Sequence, residues 1–265
     1  MTTTDFEFIV VDEPTEMVRR VTLDRPEKRN AISTPMRSEI FAALQQHDCD
    51  AEVRVTIIRG AGACFSSGYD LGGGSLVDDS PHYSAPGDGQ WARQASEGWF
   101  GIWDLAKPVI AQVHGYAMAG ATELVSACDL VYMADDATIG YPVVRVMSPP
   151  DWQFHTPLVG LRAAMEMMLT GNTYSATECV RVGFANRAYP ADALDTQVLE
   201  MARTVAKVPS DLQQINKRSV HRSFDVWGAR AAMRAGQELQ ALAGHQQSVQ
   251  EAKQDPLAAI KKAFE

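Results

Sequence analysis

The segment His114-Gly-Tyr-Ala-Met-Ala-Gly-Ala-Thr-Glu123 places a carboxylate just after a run of small residues. The apolar run Pro108-Val-Ile-Ala-Gln-Val113 before it reads as a strand, and residues 120–128 read as a helix with Glu123 in its first turn. A strand, a small-residue turn and a helix start leave backbone N–H groups without intrahelical partners, beside the positive end of a helix dipole. That is what a site needs if it stabilises a developing oxyanion and moves a proton next to it. From this helix alone, a surface glutamate favoured by the dipole is the plainer reading.

The flanking elements must position this segment. Residues 6–11 and 17–23 alternate as strands, with 12–15 as the turn between them. Ser33 or Thr34 caps a helix that carries Pro35 in its first turn and runs to about residue 47. Residues 53–59 and 130–134 read as strands and 91–105 as a helix, while 71–90 form a long Gly/Ser/Asp/Pro-rich loop. Helices are expected over 160–170, 175–182 and 191–208, and from 212 to 265 the pattern is helical with a break near Pro256. Strand pairs followed by helices suggest an α/β fold built as a stacked spiral rather than a doubly wound sheet. The expected division is a core over 1–205 and a helical segment over 206–265 that packs against another subunit.

At 265 residues the chain suits one large domain or a domain with an appendage. A net charge of −9 argues against nucleic acid as a partner, which wants a basic face. Cys49, Cys64, Cys128 and Cys179 form no CxxC pair, so no zinc site is read, and scattered thiols suit a cytoplasmic setting. The N-terminus lacks a basic region followed by an apolar run, so no signal peptide is read, and no apolar stretch is long enough to span a bilayer.

Four ordered segments carry a family resemblance. They are Val21-Thr-Leu-Asp-Arg-Pro-Glu-Lys-Arg-Asn-Ala-Ile32, Gly62-Ala-Cys-Phe-Ser-Ser-Gly-Tyr-Asp-Leu71, Lys107 through Glu123, and Met168-Leu-Thr-Gly-Asn-Thr-Tyr-Ser-Ala-Thr-Glu178 leading to Gly183. Together they resemble the crotonase superfamily of enoyl-CoA hydratases and isomerases, over roughly residues 6 to 225. The resemblance implies a crotonase-like spiral of ββα units and a helical C-terminal oligomerisation segment giving a homotrimer or dimer of trimers. It implies an acyl-CoA thioester substrate with coenzyme A as part of it, no tightly bound cofactor and no metal.

By the same resemblance, the backbone N–H groups of Tyr69 and Gly120 hold the thioester oxygen, and Glu123 transfers a proton. Gly68 permits an unusual turn before Tyr69, in keeping with that role. Contacts to coenzyme A fall to Lys28 and Arg29, to the 66–71 backbone with Ser66, Gly68, Asp70 and Leu71, and to Lys217.

One departure matters most. The second glutamate of the hydratase pattern belongs at position 143, and Val143 stands there. Hydration needs one group for water and one for carbon. Asp151 resembles in position an aspartate used by dienoyl-CoA isomerases, though an aspartate after Pro149-Pro150 also reads as a helix cap. His155 is a further acid–base candidate, although a lone histidine is more often packed or solvated. Arg145 reads as a salt-bridge partner or a contact for a substrate carboxylate. The spacing of Trp91, Trp99 and Trp103 suits a buried helix face or, less readily, an acyl-tail wall. Hydration, double-bond shift, thioester or carbon–carbon hydrolysis, and acyl-CoA binding without turnover all stay open at this point.

Overall fold

Short β-branched runs bounded by polar turns build the frame. The computed structural model describes residues 5–71, 90–147, 149–150 and 152–263, with the side chains of 90–92 and 257 left aside. The long loop apart from its ends, and Asp151, lie outside the described residues.

Strands β1 (Ile9–Thr15) and β2 (Val18–Leu23) form an antiparallel hairpin. The turn is not at 12–15 as the sequence suggests. It is the pair Glu16-Met17, with Met17 at φ 64°, and Thr15 faces Val18. Pro14 sits inside β1 because that strand is the sheet edge and its register shifts between Asp12 and Thr15.

Helix α1 (Thr34–Cys49) starts as expected: the Ser33 hydroxyl accepts from the Met36 N–H at 3.3 Å, with Pro35 in the first turn. Then come β3 (Val55–Gly60), α2 (Gln90–Asp104), β4 (Val109–Val113), β5 (Tyr116–Met118) and α3 (Gly120–Ala127). They are followed by β6 (Leu130–Ala134), β7 (Thr138–Gly140), a 3₁₀ turn at Pro142–Arg145, and α4 (His155–Thr170). Strand β8 (Tyr174–Ser175), α5 (Ala176–Val182), β9 (Arg187–Tyr189) and α6 (Leu194–Ala206) complete the mixed region.

A six-stranded sheet runs β1-β2-β3-β4-β6-β9, parallel beyond the first hairpin, and a three-stranded sheet runs β5-β7-β8. In two successive turns of the chain the first strand joins the large sheet, the second joins the small one, and a helix follows: β4, β5, α3, then β6, β7, α4. This is the stacked ββα spiral expected from the sequence. The central strands are buried on both faces, which is why β3 and β4 read as near-continuous apolar runs.

Helix α4 begins five residues before the expected 160, because Gly160 (φ 79°, ψ 164°) interrupts it and only the part beyond reads as regular helix. The C-terminal region is four helices: α7 (Ser210–Val226), α8 (Ala229–Ala243), α9 (Gln247–Ala252) and α10 (Pro256–Ala263). Besides the break near Pro256, the chain breaks at Trp227-Gly228, where Gly228 takes φ 80°, and again after Ala243. No helix among the described residues is long and apolar enough to cross a membrane.

Candidate active site

The site begins with Asn30, a fully buried side chain that the sequence reading passed over. Its amide donates to the carbonyls of Ala61, Cys64 and Phe65 at 2.8, 3.0 and 3.2 Å, and its oxygen accepts from the Arg25 N–H at 3.0 Å. Those bonds fix the segment that leads to Gly68. The Ser66 hydroxyl donates to the Asn30 carbonyl at 2.7 Å and accepts from the Gly68 N–H at 3.1 Å. Ser66 is therefore the internal brace of the turn. On one side Ile32 bridges to Tyr69, and on the other Ser66 bridges to Ala117 in β5.

This clamp brings the two glycines together. Gly68 takes φ 102°, and a Cβ there would lie 2.7 Å from the Met118 carbonyl oxygen and 3.3 Å from the Gly120 nitrogen. The turn into α3 is held from the small sheet, where the Ala119 N–H donates to the Gly140 carbonyl at 2.8 Å. Ala119 itself has φ 50° and ψ −123°, a conformation that side chains other than hydrogen disfavour. Gly120 opens α3, where an N–H has no carbonyl four residues back. A Cβ on Gly120 would lie 2.5 Å from two ring carbons of Tyr69, so the Tyr69 ring rests directly against the glycine.

Glu123 is fully buried, and so is every other residue of α3. The surface reading of this glutamate is thereby overturned: the helix is enclosed on all sides, so its first turn faces protein. The Tyr69 hydroxyl donates to Glu123 Oε2 at 2.6 Å. The Trp99 indole N–H reaches the Tyr69 oxygen at 3.0 Å and Glu123 Oε2 at 3.2 Å. Trp99 comes from α2 and packs edge-on to Phe41 of α1 at 5.6 Å between centroids. The sequence pattern presents Trp99 only as a core or wall residue, and Tyr69 only as a backbone donor; their polar atoms both converge on the carboxylate.

The remaining candidates divide. Val143 lies half-buried in the 3₁₀ turn three residues after Gly140, on the strand end that holds Ala119, and its side chain has no polar atom. His155 is buried, stacked on Phe154 at 4.0 Å and edge-on to Tyr141 at 6.1 Å. Burial pushes its pKa down to about 3, so the ring is neutral across the physiological range. Arg145 donates to the Thr170 and Ala263 carbonyls at 2.7 and 3.2 Å and to Asn172 Oδ1 at 2.9 Å, tying the ends of α4 and α10 to the 3₁₀ turn.

Lys28 and Arg29 are exposed, Leu71 is exposed, and Asp70 pairs with Arg25 at 2.9 Å. Lys217 is buried instead of presented to solvent. Its ammonium donates to the Ile102 and Lys107 carbonyls at 3.0 and 3.1 Å and pairs with Asp129 at 2.9 Å. Three donors are thus engaged inside the protein, and the ammonium has no further proton for a phosphate. Among the described residues no cluster of His, Cys, Asp and Glu is placed to hold a metal.

Strands that alternate between two sheets, with a helix closing each turn and a buried glutamate at the start of α3, define a crotonase-type fold. Comparison with known proteins agrees. A family model described as Enoyl-CoA hydratase/isomerase matches residues 13–262. The chain is 33% identical over 257 residues to a Mycobacterium tuberculosis protein provisionally named enoyl-CoA hydratase EchA13, covering 86% of this chain and 78% of the other. It is similar to the crystal structure of an enoyl-CoA hydratase/isomerase from Xanthobacter autotrophicus Py2, with TM-score 0.85 and 30% identity over 98% of both chains. An enoyl-CoA hydratase structure from Mycobacterium smegmatis shares the fold at TM-score 0.87 and 24% identity, over 98% of this chain and 95% of that one. The chain belongs to the enoyl-CoA hydratase/isomerase family, a family of enzymes.

Proposed function

We propose that the protein shifts the double bond of an enoyl-CoA thioester through an enolate, with Glu123 as the group that moves the proton. The observation that carries this reading is the buried Glu123 carboxylate beside the Gly68–Gly120 contact, with valine at the position where hydration wants a second one. In a 3-enoyl thioester Glu123 takes the proton from C2. The electron pair spreads over C2 to C4 and onto the thioester oxygen, which faces the backbone N–H groups of Tyr69 and Gly120. Those donors bind the growing negative charge better than the neutral carbonyl, so they lower the barrier rather than only the ground state. The same carboxyl then returns the proton at C4, giving the 2-enoyl thioester. One acid–base group suffices for this sequence, whereas adding water asks for two.

Exposed Lys28 and Arg29 support a role at the nucleotide end of coenzyme A, and the 66–71 backbone one near the adenine. The C-terminal segment supports a homotrimer or dimer of trimers. It exposes Ile215, Val220, Val226, Trp227, Leu239 and Leu242, an apolar set that a subunit contact would cover.

The test is a thioester panel of crotonyl-CoA, a 3-enoyl-CoA and a dienoyl-CoA. Turnover of the 3-enoyl substrate to its 2-enoyl isomer is expected. Tight binding without turnover of any of them would sink the reading.

A further inference from the structure

We infer that the Tyr69 phenol, backed by the Trp99 indole, is a positioning group for the Glu123 carboxylate, so that one residue serves both halves of the site. This inference rests on the reaction proposed above, in which the Tyr69 backbone N–H faces the thioester oxygen.

Three observations carry it. The first is the bond itself: 2.6 Å between the Tyr69 hydroxyl and Glu123 Oε2 is the length of a hydrogen bond to a charged carboxylate. The second is direction. An indole N–H donates and never accepts, so Trp99, 3.0 Å from the Tyr69 oxygen, occupies a lone pair there and turns the single phenolic proton toward Glu123. The same N–H also lies 3.2 Å from Oε2. The third is space. Gly120 has no Cβ, and one placed there would fall 2.5 Å from the Tyr69 ring. The glycine that offers its N–H to substrate is also the one that lets the phenol reach the carboxylate.

The chemistry needs such a group. Glu123 is fully buried, and burial without partners drives a carboxylate to take up a proton and cease to be a base. Donors aimed at Oε2 favour the ionised form and fix its orientation against rotation about the last side-chain bond. Linked donors strengthen one another in a low-dielectric interior, so the Trp99–Tyr69–Glu123 chain holds the base more firmly than either contact alone. Phenylalanine at position 69 would keep the ring and its packing while removing this function, which separates positioning from mere filling of space.

The experiment titrates Glu123 directly, by carboxyl-carbon NMR on uniformly labelled protein, with Glu123→Gln assigning the resonance. Tyr69→Phe removes the donor without changing shape. The expected result is a Glu123 midpoint moved to higher pH by about one unit or more in Tyr69→Phe, with a smaller move the same way in Trp99→Phe. An unchanged midpoint, or one moved to lower pH, overturns the inference. In turnover of a 3-enoyl-CoA, Tyr69→Phe is expected to lower kcat about ten- to a hundredfold at neutral pH, with KM within about twofold and the acidic limb of the profile shifted upward. The titration stands without turnover. An active wild type with no shift in Tyr69→Phe sinks only the positioning role, and a shift in a protein that turns over no thioester sinks only the reaction.

Discussion

At residue scale the site depends on what two glycines lack. Gly68 is needed for its φ of 102° and for its closeness to the Gly120 nitrogen; Gly120 is needed because the Tyr69 ring occupies the place of a side chain. Gly120 itself carries no positive φ, and the three atoms nearest a Cβ there all belong to the Tyr69 ring. Gly120→Ala should therefore abolish most activity by pushing Tyr69 off Glu123. In the Tyr69→Ala background the same change should add less than about twofold further loss, since the clash is gone. A double-mutant cycle in kcat checks this, and full additivity would contradict it. The backbone role of these residues was legible in the motif Ser66-Ser-Gly-Tyr69, because glycine in a tight turn leaves a mark in sequence. The phenol's aim was not. Where a side chain points depends on a helix thirty residues away carrying Trp99, and no local pattern encodes that.

At the scale of elements, the long apolar strands and well-capped helices were readable, and the short ones were not. Strands β4 and β6 fall where five-residue apolar runs place them. Strands β5, β7, β8 and β9, of two or three residues, are too short to show a period and exist only because a neighbour pairs with them. Yet β5 and β7 hold the entry to α3. The α7 helix shows the same limit from the other side. Lys217 reads as one cation among several on a polar helix, but tertiary packing buries it against Asp129 and the carbonyls of Ile102 in α2 and Lys107 just before β4. Lys217→Met should leave Asp129 without its ammonium and lower unfolding stability by about 3 kcal/mol, seen as a lower urea midpoint. A midpoint equal to wild type would show that the pair is dispensable. At the turn into α3, Ala119→Gly should relieve the strained φ and raise stability by about 1 kcal/mol, with the melting temperature as readout and a fall as the contrary result.

At the scale of the whole molecule, two buried histidines, His47 and His155, contribute to the response to acid. Burial, with Arg19 nearby, pushes His47 down to about 4, and burial pushes His155 down to about 3. Both folded values lie below the unfolded value of 6.5, so the unfolded chain binds the extra protons. Stability from keeping the rings neutral is complete above pH 6.5 and is lost as pH falls toward the folded values, by about 2 kcal/mol for each ring at pH 5. Melting temperature should therefore drop between pH 7 and pH 5, and drop less in His47→Gln; a flat profile would contradict this. The trimer proposed for the exposed apolar set on α7, α8 and the turn between them predicts a sedimentation mass of about three times 29.0 kDa or a multiple of that, and a mass near 29.0 kDa would remove it. The family and the spiral were legible from four ordered motifs. The reaction was less so, since it turns on Val143 and on which polar atoms surround one carboxylate.

The most direct measurement sets isomerisation of a 3-enoyl-CoA against hydration of crotonyl-CoA in one preparation, for the wild type and for Glu123→Gln. The proposed enolate site, with Glu123 as the group that moves the proton, predicts that isomerisation has the larger kcat/KM, and that the glutamine variant loses it by about 10²- to 10⁴-fold while staying folded. Hydration outpacing isomerisation, or a glutamine variant that turns over like the wild type, would contradict it.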